Sequence, residues 1–310
     1  MRWSVNLGAT RLVDELSALL WRPRCLLCRH PGHAGLDLCL ACCTNLPWNR
    51  SACSSCALPL PVLPDQTRTS AAVTFPALHR GPVACSCEAC SCAACSYEAC
   101  SYAACSSAPS AASAALISIC KCTASDRYCG NCLRKPPPVT RAYAVFAYRS
   151  PLDRLLPRLK FHQDMAAGRL LAQLSAAELA AAPRPQALIP IPLHDNRLRR
   201  RGYDQALELA QPIARQLNLP LRADLLRRTR ATQPQSQLDA AGRRRNLRGA
   251  FAVCQRGPLP AHVVLFDDVM TTGATLYTAA NALRRAGIAR VDAWVCARAP
   301  APASERRGAC

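Results

Sequence analysis

The sequence predicts an α/β fold, a mostly parallel sheet flanked by helices, preceded by a small cysteine-rich module. Three observations lead there. From residue 139 to 300, strand-like and helix-like apolar patterns alternate, as they do when a parallel sheet is covered by its crossover helices. Eighteen of the 21 cysteines lie between Cys25 and Cys132, and only Cys254, Cys296 and Cys310 lie beyond. Between the two compositions stand Pro136, Pro137 and Pro138, a run that continues neither a helix nor a central strand and makes a stiff linker.

Residues 1–24 read as a short amphipathic segment ending near Pro23. Arg11, Asp14 and Glu15 interrupt the apolar region a secretory signal needs. No stretch of about 18 residues is free of charge and proline, so no membrane insertion is expected. The expectation is a soluble, cytoplasmic chain. In that reducing setting an odd number of cysteines points to metal rather than to disulfides.

The module at 25–135 holds four pairs with a two-residue gap: Cys25/Cys28, Cys39/Cys42, Cys53/Cys56 and Cys129/Cys132. Such a gap lets both thiolates of one turn reach one ion, and eight ligands make two tetrahedral zinc sites. Structural zinc contributes on the order of 10 kcal/mol to folding, enough to hold together a segment with few apolar residues. All-cysteine coordination leaves no open position, so the sites are structural. Spacing leaves open which pairs share an ion, and Cys43, Cys120 and Cys122 are alternative ligands.

The stretch from about 59 to 123 departs from both patterns. ACSCE, ACSCA, ACSYE and ACSYA repeat with a five-residue period from Ala84 to Ala103, which fits neither helix nor strand packing. Small residues bury too little surface to offset ordering entropy, so this reads as a disordered, tandemly expanded insertion. Its nine cysteines also allow a metal-storage tract. With the insertion removed, the last two cysteine pairs resemble the first two.

In the second part, AYAVFAYR is a strand and is followed by an alanine-rich helix from Pro151 to Ala182 with a break placed at Pro157. ALIPIP is a short buried strand, and Tyr203–Leu217 is a helix with Leu207, Ala210 and Ile213 at helical spacing. VVLF is a buried strand whose carboxyl end carries Asp267 and Asp268. Helix 276–286 follows, ended by Gly287, and ARVDAWVCAR closes a strand–helix–strand unit. Residues 301–310 read as a disordered tail.

The chemistry concentrates at VVLFDDVMTTGAT. Adjacent carboxylates at the end of a parallel strand can accept from two vicinal hydroxyls and suit a ribose that also chelates Mg²⁺. Thr271, Thr272, Gly273, Ala274 and Thr275 then open a helix, where free N–H groups, the helix dipole and threonine hydroxyls make a phosphate cradle. A nucleotide hydrolase whose magnesium-binding strand ends in two acids needs a GxxxxGK(S/T) loop, and no glycine precedes any of the three lysines, Lys121, Lys135 and Lys160, in that pattern. A GxGxxG fingerprint is missing too. The formal net charge of +20 is nearly all arginine, which suits forked contacts to phosphate, although arginine- and alanine-rich composition also follows from a GC-rich genome.

VVLFDDVMTTGATL resembles the 5-phosphoribosyl 1-diphosphate (PRPP) signature of type I phosphoribosyltransferases. ALIPIPLHDNRLRRRGYDQALELA and RRTRATQPQSQLDAAGRRRNLRGAF, in that order before it and behind a cysteine-paired double zinc ribbon, narrow the resemblance to the ComF family. It covers nearly the whole chain outside the insertion and the two ends. It implies a type I phosphoribosyltransferase-like domain over 139–300, with Asp267 and Asp268 on the ribose hydroxyls and Thr271–Thr275 on the 5-phosphate. Ile191–Arg197 would face pyrophosphate, and Thr232–Asn246 would be a mobile hood bringing Arg243, Arg244 and Arg245. Arg197 and Arg201 fall on the pyrophosphate side, in a run that also includes Arg199 and Arg200. Asp204 departs from the RGxNQ pattern and puts a negative charge near a polyphosphate site. His162 and His194 read as ordinary surface or loop residues, and Lys160, the only lysine in this domain, is a candidate phosphate contact outside the assigned site. The resemblance implies two functions: binding PRPP with Mg²⁺ and transferring phosphoribosyl to an unidentified acceptor, or serving as a non-catalytic accessory of natural competence that binds single-stranded DNA or a helicase partner.

Overall fold

The computed structural model describes residues 23–61, 126–162, 164–229, 249–255 and 257–300. The amphipathic N-terminal segment, nearly all of the repeat insertion including Cys120 and Cys122, the Thr232–Asn246 hood with Arg243, Arg244 and Arg245, and the tail lie outside the described residues.

The central sheet has four parallel strands in the order β1 (Ala142–Ala147), β6 (Arg290–Arg298), β5 (His262–Met270), β2 (Ala187–Pro190). β5 and β6 run in register from His262↔Arg290 to Met270↔Arg298. A separate antiparallel pair, β3 (Leu226–Arg228) and β4 (Phe251–Val253), brackets residues 230–248. The sequence reading did not anticipate this pair. Three residues per strand give too short a pattern for period-two alternation to stand out.

The strands are buried on both faces, which is why they read as continuous apolar runs. On one face Phe146, Leu188, Val264, Phe266 and Trp294 pack with three helices: α3 (Leu152–His162), α4 (Met165–Leu179) and α6 (Gln205–Gln216). On the other face Ala144, Ile189, Val263, Leu265 and Val295 pack with α7 (Ala274–Arg285). Of the cysteine-rich module, Cys25, Leu38, Cys43 and Leu46 join the first core, whereas Cys53, Cys56 and Cys132 join the second. Residues 47–54 run beside β1: Asn49 N–H donates to the Val145 carbonyl, Ala147 N–H to Pro47, and Ala142 N–H to Ser54.

One expected break moves. The alanine-rich helix continues through Pro157 to His162. Asp164 restarts it by capping α4 at Ala167 N–H (3.0 Å), and Arg158 holds that carboxylate at 2.6 Å. Pro157 costs one helical hydrogen bond, but Leu155, Leu156 and Leu159, all essentially buried, keep the helix on the core.

Candidate functional site

The cysteine module builds one turn twice. Cys25 N–H donates to His30 O at 2.8 Å and Arg29 N–H returns to Cys25 O at 2.9 Å. In the second copy Cys53 N–H donates to Leu58 O at 2.9 Å and Ala57 N–H returns to Cys53 O at 2.7 Å. Arg29 and Ala57 close these turns with φ of 67° and 54°, each one residue past the second cysteine of its pair. Each copy is completed by a five-residue helix, α1 (Leu40–Thr44) or α2 (Gly130–Arg134), whose N-cap is Cys39 or Cys129.

The result is two tetrads, Cys25/Cys28/Cys39/Cys42 and Cys53/Cys56/Cys129/Cys132, each with all four sulfurs within 4.8 Å of one another. The pairing that spacing left open is therefore consecutive. Tetrahedral thiolates about 2.3 Å from zinc stand roughly 3.8 Å apart, and Cys28 to Cys39 and Cys56 to Cys129 measure 3.5 and 3.7 Å between sulfurs. Backbone N–H groups point at the thiolates, Cys42 N to Cys39 Sγ and Cys129 N to Cys53 Sγ, as the shell around a metal–thiolate centre requires. The donor set and its geometry fit zinc. Cys43 is buried in the first core and is not a member of either tetrad.

A cavity of about 700 Å³ opens beyond the carboxyl ends of β2 and β5. β5 runs through both acids to Met270, so the carboxylates stand on the strand rather than after it, because pairing with β6 continues to Arg298. Asp268, 8% exposed, continues the Val264–Phe266 face toward α3, where Lys160 Nζ meets its Oδ2 at 2.7 Å. Burial pulls the Lys160 pKa down, but the charge and hydrogen bond of Asp268, followed by Asp267, outweigh it and hold the ammonium above its usual value. Asp267 also lines the cavity, where burial first and the neighbouring Asp268 second push its pKa well up.

The cavity also has a cationic part. Arg197 and Arg201 reach the cavity from α5 (Asp195–Arg201), and Arg228 reaches it from the end of β3 with its guanidinium 5.4 Å above the Phe251 ring. Arg228 is 6% exposed; burial lowers its pKa first and Arg197 lowers it further. Arg197 is lowered in the same way by burial and by Arg201. These cations therefore crowd one another. Gln205 accepts from Arg201 Nη1 at 2.8 Å, while its own Nε2, buried at the cavity wall, has no hydrogen-bond partner among the described residues.

Of the predicted ribose 5-phosphate residues, Asp267, Asp268, Thr271 and Thr275 line the cavity, whereas Thr272, Gly273 and Ala274 belong to the same turn without lining it. Gly273 is the N-cap of α7 with φ of 77°, and a Cβ there would lie 2.5 Å from Tyr277 Cζ. Asp204, expected to bring a negative charge near the site, does line the cavity, and it is also an anchor. It caps α6 at Ala206 and Leu207 N–H and accepts from Leu193 N–H at 2.9 Å, tying the segment after β2 to the helix. Burial raises its pKa, against those three hydrogen bonds and together with Asp268. His194 caps α5 through Nδ1. Lys160, Arg228 and Gln205 were not assigned from sequence. A lysine far from the motif in sequence gives no local signal, and Arg228 belongs to the wall only once β3 pairs with β4.

No protein-family model matches the chain. It is 36% identical over 181 residues to competence protein F of Haemophilus influenzae, spanning 56% of this chain and 79% of that protein. It is 38% identical over 185 residues to DNA utilization protein YhgH of Escherichia coli K12, spanning 57% and 80%. Competence protein ComFC of Streptococcus pneumoniae is 27% identical over 146 residues, or 46% and 62% of the two chains. Among solved structures, adenine phosphoribosyltransferase of Leishmania tarentolae aligns with a TM-score of 0.29 at 13% identity, over 52% of this chain and 92% of that one. With paired cysteine tetrads ahead of a parallel-sheet domain and this degree of identity over most of its relatives' length, the chain belongs to the ComF family, that of competence protein F and DNA utilization protein YhgH.

Proposed function

We propose that the chain binds PRPP, or a closely related ribose 5-phosphate, together with Mg²⁺ in the cavity beyond β2 and β5. The observation that carries this reading is that two adjacent carboxylates, Asp267 and Asp268, and three arginines, Arg197, Arg201 and Arg228, line one cavity. A ligand with vicinal hydroxyls at one end and a diphosphate at the other matches both sets of residues. The carboxylates would accept from the ribose hydroxyls, and Thr271–Thr275 would take the 5-phosphate at the start of α7. The three arginines would hold the diphosphate, and the orphaned Gln205 Nε2 supplies a donor that gains a partner when an anion enters. Arg243, Arg244 and Arg245 would add charge from the segment that β3 and β4 bracket. The hard oxygen donors of the acid pair suit Mg²⁺, which would supply charge neutralisation on the diphosphate. If transfer follows, an acceptor forms a bond to the anomeric carbon as the bond to pyrophosphate breaks, and the arginine wall takes up the charge of the leaving group.

Isothermal titration of PRPP with Mg²⁺ into the zinc-loaded full chain tests the reading, beside the Asp267→Asn/Asp268→Asn double variant. Binding by the wild type that disappears in the variant supports it, and absence of binding to the folded wild type sinks it.

The names of the relatives and the arginine-borne charge of +20 favour a second reading, an accessory role in DNA uptake in the cytoplasm with single-stranded DNA or a helicase as partner. Fluorescence anisotropy with a single-stranded oligonucleotide would then show affinity falling steeply as salt rises. A flat salt response or no binding removes direct phosphate contact from this reading.

A further inference from the structure

Among the described residues, the turn of the proposed site is fastened to one of the two cysteine tetrads and not to the other. Arg298, the last residue of β6, is 6% exposed. Its Nε donates to the carbonyl of Cys56 at 2.9 Å, and its Nη1 donates to the carbonyls of Met270 (3.2 Å), Thr271 and Ala299. A single guanidinium thus spans from a member of the second tetrad to the residues that end β5 and begin the turn. All its hydrogen-bond acceptors are main-chain oxygens, and it makes no ion pair among the described residues. A buried guanidinium with no carboxylate needs compensation. Four thiolates around a divalent ion carry a net negative charge, and such a centre next to Cys56 provides it.

A second contact runs alongside. The Tyr277 ring fills the space a Cβ on Gly273 would need, and it packs against the core that contains Cys53, Cys56 and Cys132. The first tetrad has neither connection: Cys25 and its neighbours belong to the core on the opposite face of the sheet.

We propose that Arg298 is a positioning residue that couples the Thr271–Thr275 turn to the Cys53/Cys56/Cys129/Cys132 tetrad, so that a ligand held by the turn and a metal held by that tetrad stabilise each other. The ligand half of this statement rests on the reading given under Proposed function. Coupling is reciprocal, so an effect on the ligand from the metal must appear as an equal effect on the metal from the ligand. The Cys25/Cys28/Cys39/Cys42 tetrad is the internal control.

The test is residue-resolved alkylation of the zinc-loaded full chain by iodoacetamide in the presence of a chelator, with each cysteine followed by peptide mass spectrometry. In the first arm Arg298→Lys, which keeps the charge but cannot fork between Cys56 and the turn, is compared with wild type. Alkylation of Cys53, Cys56, Cys129 and Cys132 should quicken by about 5-fold or more, while Cys25, Cys28, Cys39 and Cys42 keep their rates. In the second arm PRPP with Mg²⁺ is added to wild type, with calorimetry run alongside. Alkylation of the second tetrad should slow by about 5-fold or more and that of the first should not change.

Equal responses of the two tetrads, or none, overturn the coupling in either arm. If calorimetry finds no PRPP binding, the function reading falls and the first arm decides the tie alone. If Arg298→Lys does not fold, the contrast between tetrads in ligand-bound wild type decides it.

Discussion

Asp267 shows the cost of a ligand-ready carboxylate. Burial and the adjacent Asp268 raise its pKa well above the ordinary value, so the folded chain holds that proton more tightly than the unfolded chain does. Folding stability is therefore lost as pH rises from the unfolded value, about 3.9, through the raised native one. Asp267→Asn removes the titration. Above that window the metal-loaded, ligand-free variant should melt at a higher temperature than wild type, with a gap that narrows toward acid pH, and it should lose PRPP binding. Differential scanning fluorimetry across pH checks this, and a variant that melts lower at neutral pH would show that the carboxylate is stabilising. Asp268→Asn should give no such gain, since it strips Lys160 of the carboxylate 2.7 Å away. The acid pair was legible in the sequence because both members sit in one short motif. Lys160, Gln205 and Arg228 were not, because each reaches the cavity from a separate element and is identified only by what faces it.

At the scale of elements, the turn between β5 and α7 depends on a glycine for two reasons. Gly273 has φ of 77°, and a Cβ would stand 2.5 Å from Tyr277 Cζ and 2.6 Å from Met270 Cε. The crowding comes from the chain's own side chains. Gly273→Ala should cost about 1–3 kcal/mol in chemical denaturation, combining left-handed strain with displacement of a buried ring. Unchanged stability would mean that the turn adopts another backbone path. The strands of the main sheet and the helix after the acid pair were legible from apolar runs and from the Gly287 stop. The break between α3 and α4 was placed wrongly because local proline chemistry was weighed without the buried leucines that override it or the Asp164 cap that ends the contest. The cysteine pairs announced two tetrads, but their assignment needed the duplicated turn, which depends on Arg29 and Ala57 in left-handed conformations that neither residue type advertises.

At the scale of the molecule, the second tetrad is assembled from segments on either side of the 62–125 stretch, and the ends of that stretch meet. Ser51 Oγ lies 3.4 Å from the Pro61 carbonyl and accepts from Arg127 Nη1 at 2.7 Å. Asp126 is held by Ser54 and Arg141, and Ser54 N–H donates to Arg127 O. The tetrad is thus closed by contacts that do not involve the repeat. Replacing residues 62–125 with a short glycine–serine linker should leave circular dichroism unchanged and keep two zinc ions per chain. If the repeat is a passive insertion, the shorter loop should also stabilise the chain by roughly 2 kcal/mol, because each doubling of loop length costs about 0.6 kcal/mol in closure entropy. Zinc content by atomic absorption together with urea denaturation of both chains provides the measurement. A shortened chain that loses its second zinc would show that the repeat holds the tetrad together. A full-length chain that binds well beyond two ions, against two in the shortened one, would assign the repeat cysteines to metal storage.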